Sequence, residues 1–205
     1  MMNDSGCTKT VSVRGLRTES LPFSSIPSQS KLFVQYQEDP LSLKRFFPSA
    51  VASYADIAHR SDEVLSTYTT DRTALCDALT RINSDCGAGP ETHANIAALR
   101  ESGTVAVLTG QQAGLFTGPL YSIYKALSAI RMAECLSARG TRAVPVFWMA
   151  TEDHDLAEVS NSFAIDQNGG LFESRVAPKP GDEGLPVGRV QFDGTIDDVV
   201  RGHFA

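Results

Sequence analysis

Residues 107–130 have the sequence VLTGQQAGLFTGPLYSIYKALSAI, and this stretch decides the fold. The segment Thr104–Leu108, which overlaps its start, is β-branched and apolar on both faces, as is typical of a buried parallel strand. A helix is predicted over Pro119–Arg139, because proline favours a first helical turn and apolar residues then recur every three or four positions. A second buried strand is predicted over Val144–Met149. Together these elements indicate one βαβ unit with adjacent parallel strands.

Three glycines, Gly110, Gly114 and Gly118, follow the first predicted strand at intervals of four residues. This spacing matches neither the GxxxxGK[ST] phosphate loop nor the GxGxxG dinucleotide fingerprint, so neither nucleotide motif is predicted. The loop nevertheless follows the carboxyl end of a parallel strand, where open α/β sheets bind ligands. Glycines allow backbone N–H groups to approach a ligand, and the N-terminus of a helix that starts near Thr117 to Pro119 attracts an anion. The loop is therefore predicted to hold an anionic group.

Polar side chains in and after the loop extend this prediction. Gln111 and Gln112 offer donors and acceptors, and Lys125, nearly two turns into the helix, can reach back towards a phosphate or carboxylate. In the alternative interpretation the glycines only allow close packing of helix and strand, and Lys125 is a solvated surface residue. For the loop as a whole, ligand binding is favoured over this simpler explanation, because ligands of open α/β sheets usually bind at this position. For Lys125 alone, both interpretations stay open.

A second candidate segment, TEDHD, follows the second strand directly. Its residues Glu152, Asp153, His154 and Asp155 could orient an amine, bind a divalent ion or relay protons. Acidic residues also act simply as caps of a helix, here one predicted to begin at Asp155. Capping explains one acid but not the histidine and the other acids, so these four residues are the candidate catalytic group. Trp148 is predicted to lie in the core, with a wall of the site as the alternative.

The remaining chain divides into three parts by composition. Residues 1–40 are rich in Ser, Thr, Gln and Pro and are predicted to form an extended arm, in which Val11–Val13 and Leu32–Tyr36 are extended pieces or edge strands. Residues 41–103 show helical periodicity with proline and glycine punctuation. Residues 163–205 form a predicted β-rich segment: LFESRV and VGRVQF read as hairpin-like strands, followed by a helix capped by Thr195.

Composition excludes several classes of function. The 205 residues include 18 Lys and Arg against 24 Asp and Glu, a net charge of −6 without a basic run, so a nucleic-acid partner is not expected. The first thirty residues lack the apolar core of an export signal, and no stretch predicts a membrane span, so a cytoplasmic protein is expected. The four cysteines have no CxxC spacing and are expected to be free thiols without a catalytic role. Small molecules are the expected partners.

The runs VLTGQQAGLFTGPLYSIYKALSAIRMAE and AVPVFWMATEDHDLAEVSN closely resemble the cysteine ligases of bacillithiol biosynthesis, the BshC family. The match is densest over Thr104–Asn161 and covers only the front of the family's pattern. The resemblance implies an α/β fold with a Rossmann-like parallel sheet core, similar to class I nucleotidyl transferases and preceded by a helical region. It also implies that this chain is a truncated, N-terminal portion, without the coiled coil through which the family forms homodimers.

The same resemblance implies a reaction: addition of cysteine to glucosaminyl-malate through an amide bond, the last step of bacillithiol biosynthesis. A carboxylate needs activation before it acylates an amine, and ATP is the ordinary means. By analogy of position with class I enzymes, the residues from Gly110 to Tyr121 would hold nucleotide phosphates, while the acids and His154 face the amine. Asn161, at the end of the densest match, joins the implied binding residues.

Two other functions remain open at this point. The first is a non-catalytic module that binds an anion or nucleotide with the same loop. The second is a metal-dependent hydrolase that uses EDHD, which is disfavoured because no second cluster of His or Asp has ligand spacing. No metal is predicted.

Overall fold

The computed structural model of the chain describes residues 21–47, 51 and 54–204. The predicted extended piece Val11–Val13 lies outside these residues. The chain divides into two compact units: the first runs up to Val105 and includes Glu134–Ala143, and the second comprises Ala106–Ala133 and the chain from Val144 onward. Within the described ranges, no helix has both the length and the apolarity that a membrane crossing requires.

The first unit is helical, as predicted for residues 41–103. Its helices are α1 (Lys31–Glu38), α2 (Tyr54–Thr67), α3 (Arg72–Asp85) and α4 (Pro90–Arg100). Side chains cap two of them: Ser30 Oγ accepts the N–H of Phe33, and Asp71 Oδ1 accepts the N–H of Thr73. Proline opens α4, and Gly87, with φ +71°, follows the end of α3.

Helix α1 corrects the expectation of an extended segment at Leu32–Tyr36. The apolar residues of this short piece fit the spacing of a helix as well as that of a strand, and periodicity over five residues cannot separate the two. The cap at Ser30 decides in favour of the helix, because it satisfies one of the free N–H groups of the first turn.

Helices α3 and α4 pack on each other around the fully buried Cys76. Arg72 donates to the carbonyl of Leu99 at 2.8 Å, and Arg100 pairs with Asp77 at 2.7 Å. Cys76 and the exposed Cys86 are free thiols, as expected. Cys135 is disulfide-bonded, contrary to expectation. The spacing of the cysteines in the sequence did not predict this disulfide, because disulfide formation depends on how close two cysteines lie in space.

The βαβ unit confirms the predicted fold. Strand β1 (Val105–Gln111) and strand β2 (Ala143–Met149) are neighbours, and α5 (Leu120–Ala138) lies between them in the chain. The N–H of Val105 bonds the carbonyl of Arg142, and the N–H of Ala150 bonds the carbonyl of Gln111, each at 3.0 Å. Because both strands advance together along this ladder, they are parallel.

Two details of the sheet differ from prediction. Strand β1 extends three residues beyond Leu108, so Gly110 and Gln111 belong to the strand and the loop starts at Gln112. The strands are also less buried than predicted: Leu108 is 66% and Trp148 56% exposed, so Trp148 is not a core residue. In the described sheet β1 and β2 pair only with each other. The prediction assumed central strands with both faces covered, and a sheet of two strands does not provide that burial.

The end of the second unit contains a hairpin and two helices. These elements are α6 (Leu156–Val159), β3 (Asn161–Ile165), β4 (Leu171–Arg175) and α7 (Thr195–His203). Strands β3 and β4 are antiparallel, and their turn is closed by Asp166 Oδ1, which accepts the N–H groups of Asn168 and Gly170 at 2.8 and 2.7 Å. The predicted strand in LFESRV is therefore present as β4, but it pairs with β3 and not with VGRVQF.

The prediction that VGRVQF is a strand is wrong, since Val187–Arg189 is a 3-10 turn. Its N–H groups bond the acidic segment instead of a strand: Val187 donates to the carbonyl of Asp153 at 2.7 Å and Gly188 to that of Thr151 at 2.8 Å. Thr195 is the first residue of α7 and not its cap. Its N–H and hydroxyl both donate to Asp193 Oδ1, at 3.0 and 2.6 Å.

Candidate functional site

The loop between β1 and α5 has an unusual backbone. Three consecutive residues, Phe116, Thr117 and Gly118, have positive φ angles of 50°, 75° and 69°. Left-handed conformations of non-glycine residues cost on the order of 1–3 kcal/mol each, and a β-branched residue such as threonine rarely adopts them. Gly118 combines its φ with a ψ of −154°, a region that only glycine occupies readily. The surroundings of this bend must therefore stabilise it.

Close approach of two glycines folds the loop back on itself. A Cβ placed on Gly114 would lie 2.6 Å from the Cα of Gly118, so only glycine fits at position 114. The N–H of Gly118 donates to the carbonyl of Leu115 at 3.0 Å and closes the bend. The spacing of these two glycines thus has a structural cause that is independent of any ligand.

Lys125 reaches back from α5 to the end of β1, as its position in the sequence suggested. Its Nζ donates to Gln111 Oε1 at 2.7 Å and to the carbonyl of Gly110 at 3.2 Å. The ammonium also lies 5.0 Å from the centre of the Tyr121 ring, within the range of a cation–π interaction. Lys125 therefore stabilises the strand end and carries positive charge there, rather than extending into solvent.

A chain of side-chain hydrogen bonds leads from this cation to two carboxylates. Gln111 accepts from Lys125 and donates through Nε2 to Oε1 of Gln112. Gln112 then donates through Nε2 to Asp153 Oδ2 at 3.2 Å and to Glu158 Oε2 at 2.9 Å. Every donor in the chain points from the positive end towards the negative end. The two predicted segments are thus in direct contact.

The acidic segment is organised by its own carboxylates. Asp153 Oδ1 accepts the N–H of Asp155 at 3.0 Å, and Asp155 Oδ1 accepts the N–H of Glu158 at 3.1 Å, which caps α6 as predicted. The backbone N–H of Asp155 is the main cause that lowers the pKa of Asp153 below its ordinary value. The amide of Gln112 lowers it further, against an opposing effect of desolvation. Asp153 is therefore held as a carboxylate.

The other predicted catalytic residues have different surroundings. Glu152 accepts the indole N–H of Trp148 at 3.3 Å, so the tryptophan contacts the acidic segment. His154 is exposed, and its imidazole makes no hydrogen bond with any residue that the structure describes. The imidazole is therefore accessible from solvent.

Two predicted binding residues lie apart from this network. Thr117 is exposed within the bend, and Asn161 begins β3, where it pairs with Arg175. No hydrogen bond joins the side chain of either residue to the glutamines or the acids in the described part of the chain. Their predicted binding roles remain predictions.

Sequence reasoning missed Glu158 and Ser122. Glu158 follows Asp155 by three residues, the spacing of a capping box, and this pattern is the sequence signal that could have identified it. Ser122 Oγ is buried close to Gly118 and, among the described residues, has no hydrogen-bond partner. A buried hydroxyl without a partner costs on the order of 1–3 kcal/mol. No sequence signal marked Ser122.

The site therefore offers opposite charges at its two ends. Lys125 and the start of α5 favour an anionic group, while Asp153, Glu152 and Glu158 favour a cation such as an ammonium. Within the described ranges, no three His, Cys, Asp or Glu side chains converge as they would at a metal site. The arrangement suits a ligand that carries both an acidic and an amino group.

Two parallel strands joined by a helix, with polar residues gathered at their carboxyl ends, define a Rossmann-like α/β domain. The family described as "Bacillithiol biosynthesis BshC, N-terminal Rossmann-like domain" matches residues 16–205. The chain therefore belongs to the BshC family.

Curated relatives agree with this assignment. A protein of Koribacter versatilis named "Putative cysteine ligase BshC" is 39% identical over 183 residues, which cover 89% of this chain and 34% of that protein. Its namesake in Solibacter usitatus is 39% identical over 145 residues, or 71% of this chain and 26% of the relative. That of Symbiobacterium thermophilum is 51% identical over 94 residues, or 45% and 17%. This chain thus spans about a quarter to a third of the length of the first two relatives.

Proposed function

We propose that this chain carries the part of a cysteine ligase that binds glucosaminyl-malate and presents its amine to an activated cysteine. The observation that supports this most strongly is the contact of Gln112 with both Asp153 and Glu158. It unites an anion-favouring loop with a cation-favouring acidic segment. Amino and acidic groups on one substrate require such a pair of surfaces.

In this proposal the carboxylates bind the amine in its ammonium form. Asp153, with its lowered pKa, stays charged through the physiological range and orients the nitrogen. The ammonium must lose a proton before it attacks, and in this proposal the imidazole of His154, which is exposed, accepts it. The amine nitrogen then forms a bond to the acyl carbon of cysteine, and the bond from that carbon to its leaving group breaks.

The anionic group lies at the loop in this proposal. The residues Gly114–Gly118 bring backbone close to the start of α5, whose first N–H groups have no partner within the helix. Lys125 adds positive charge at the same strand end. The loop could hold either the malate carboxylates or the phosphates of ATP, which would supply the activation of cysteine. Both anions share this chemistry, and separate binding measurements with glucosaminyl-malate and with ATP, described below, distinguish them.

Turnover tests the proposal directly. Cysteine and glucosaminyl-malate are incubated with the protein, with and without ATP, and the amide product is measured by mass spectrometry. We expect product only with ATP, and at least a tenfold loss in His154→Ala and Gln112→Ala. Exposed counterparts outside the site, His59→Ala and Gln167→Ala, serve as controls and should retain full rate. Full activity of both site variants would overturn the assigned roles.

One observation favours a second candidate function, a non-catalytic binding module. A catalytic base is usually oriented by a hydrogen bond to another side chain; within the described residues the imidazole of His154 makes no such bond, although it interacts electrostatically with Asp153. Under this alternative the chain binds glucosaminyl-malate or ATP but forms no amide under any condition. In either case we expect a cytoplasmic protein, with dimerisation through a region outside this chain.

A further inference from the structure

The left-handed bend of the glycine-rich loop is in contact with the last turn of α7. The ring of Phe116 stacks on the imidazole of His203, with centroids 3.9 Å apart and planes inclined by 17°. Phe204 adds an edge contact to Phe116 at 5.4 Å. These are long-range contacts, because nearly ninety residues separate Phe116 from His203. They stabilise a residue whose own backbone conformation is unfavourable.

His203 is itself held in place by the hairpin. Its Nδ1 lies 3.0 Å from Ser174 Oγ on β4, and Ser174 is buried. The ring of Phe172, two residues earlier on the same strand, meets the imidazole edge at 5.6 Å. The imidazole is therefore fixed on one side by β4 and presents a flat face to Phe116 on the other.

Local contacts alone leave the bend free to relax. The bond between Gly118 and Leu115 closes the turn, but it does not fix the φ angle of Phe116. If the Phe116 ring lost its stacking partner, the backbone could return to the more favourable right-handed region. Such a change would move Thr117 and Gly118, which precede α5 and border the proposed anion position.

We propose that His203 is a positioning residue: by stacking on Phe116 it holds the bend from Phe116 to Gly118 in the conformation that receives the anionic group. This inference rests on the proposed function for the identity of the ligand, but the coupling between α7 and the loop does not. Neither residue touches the substrate in this arrangement. The hairpin and α7 thereby help to hold the loop of the site in place.

Amide hydrogen exchange of the whole chain, followed by mass spectrometry, tests the coupling without any ligand. In His203→Ala we expect exchange at residues 114–118 to accelerate at least tenfold. His203→Phe keeps a flat ring and should restore most of the protection, although it loses the bond to Ser174. Arg201→Ala, an exposed change on the same helix, is the matched control and should leave the loop unchanged.

Binding of glucosaminyl-malate and of ATP, each measured by calorimetry, gives the functional outcome. We expect His203→Ala to weaken the binding of at least one of them about tenfold and His203→Phe to recover it. Unchanged exchange at residues 114–118 in His203→Ala would overturn the inference. So would exchange in His203→Phe that is as fast as in His203→Ala. If the loop responds as expected but the unaltered chain binds neither compound, the positioning role stands and the proposed function fails.

Discussion

Nε2 of Gln112 lies 3.2 Å from Oδ2 of Asp153, although 41 residues separate them in the sequence. The amide follows the end of β1 and the carboxylate follows the end of β2, so the parallel pairing of these strands brings the two groups together. A neutral amide that donates to a carboxylate favours its charged form. The contact therefore links the geometry of the sheet to the ionisation of the site.

Replacement of Gln112 by alanine should raise the pKa of Asp153 towards its ordinary value, because one donor to the carboxylate is lost. The pKa should stay below that value, since the N–H of Asp155 is the larger cause of the shift. NMR titration of the Asp153 carboxyl group measures both effects. An unchanged pKa in the variant would show that the amide does not reach the carboxylate in solution.

The same shift predicts the direction of a pH effect. A carboxylate whose pKa is lowered by folding contributes stability that is present above its unfolded pKa, about 3.9, and is lost as the pH falls through the folded value. Asp153→Asn should therefore reduce the loss of stability in this acidic range. Equal acid profiles for the two proteins, followed by circular dichroism, would count against the assigned hydrogen bonds.

Trp148 should report ligand binding at the acidic segment. It is the single tryptophan of the chain, and its indole N–H donates to Glu152 at 3.3 Å. A ligand amine that draws Glu152 away would change the surroundings of the exposed indole and so its fluorescence. We expect glucosaminyl-malate to change the emission of the unaltered chain but to have a smaller effect on Glu152→Gln. An equal response of both proteins would place the bound amine elsewhere.

Gly110→Ala should destabilise the pairing of β1 with β2. The added Cβ would lie 2.7 Å from the carbonyl oxygen of Trp148 and 3.1 Å from its Cβ, so the two strands would have to separate. Overpacking of this kind costs about 1–3 kcal/mol in the free energy of unfolding, measurable by urea denaturation. Gly103→Ala is the control, because its Cβ would meet nothing within 4 Å and its φ is not positive. Equal stability of the two variants would contradict the observed strand contact.

The chain by itself should expose apolar surface that binds a hydrophobic dye. The second unit displays large side chains on β1, β2 and the early part of α5, among them Leu108, Leu120, Tyr124, Leu127, Trp148 and Met149, each more than half exposed. Large apolar side chains exposed on neighbouring elements form the kind of surface to which such a dye binds. Dye fluorescence should rise on mixing with the native chain and should fall when Leu120 and Tyr124 are both changed to serine. No dye binding by the unaltered chain would contradict this expectation.

The sequence predicted the βαβ unit well because its signals are local. Pro119, the helical spacing after it and the β-branched residues before the loop each act within a few positions, and α5 began within one residue of the predicted start. The contact of Gln112 with Asp153 is explained by topology, because both residues follow the carboxyl ends of paired parallel strands. Burial was predicted poorly for Leu108 and Trp148, since it depends on what covers the sheet and not on the strand itself.

Other features depend on contacts between distant residues and left no local signal. The stack of Phe116 on His203 joins two aromatic residues that sequence analysis did not select. The turn at Val187 and Gly188 bonds Asp153 and Thr151 instead of forming a strand, because the acidic segment offers its carbonyl groups there. Thr117 adopts a left-handed backbone conformation that β-branched residues disfavour. Local conformational preference therefore could not predict this conformation.

A double-mutant cycle on Gln112 and Asp153 tests most directly whether the loop and the acidic segment form one ligand site. Calorimetry gives the dissociation constant of glucosaminyl-malate for the unaltered chain, Gln112→Ala, Asp153→Asn and the double variant. We expect each single change to weaken binding about tenfold, roughly 1.4 kcal/mol, and the double variant to be little weaker than either, since both changes break the same connection. Single variants that bind as tightly as the unaltered chain, or losses that simply add in the double variant, would contradict a shared site.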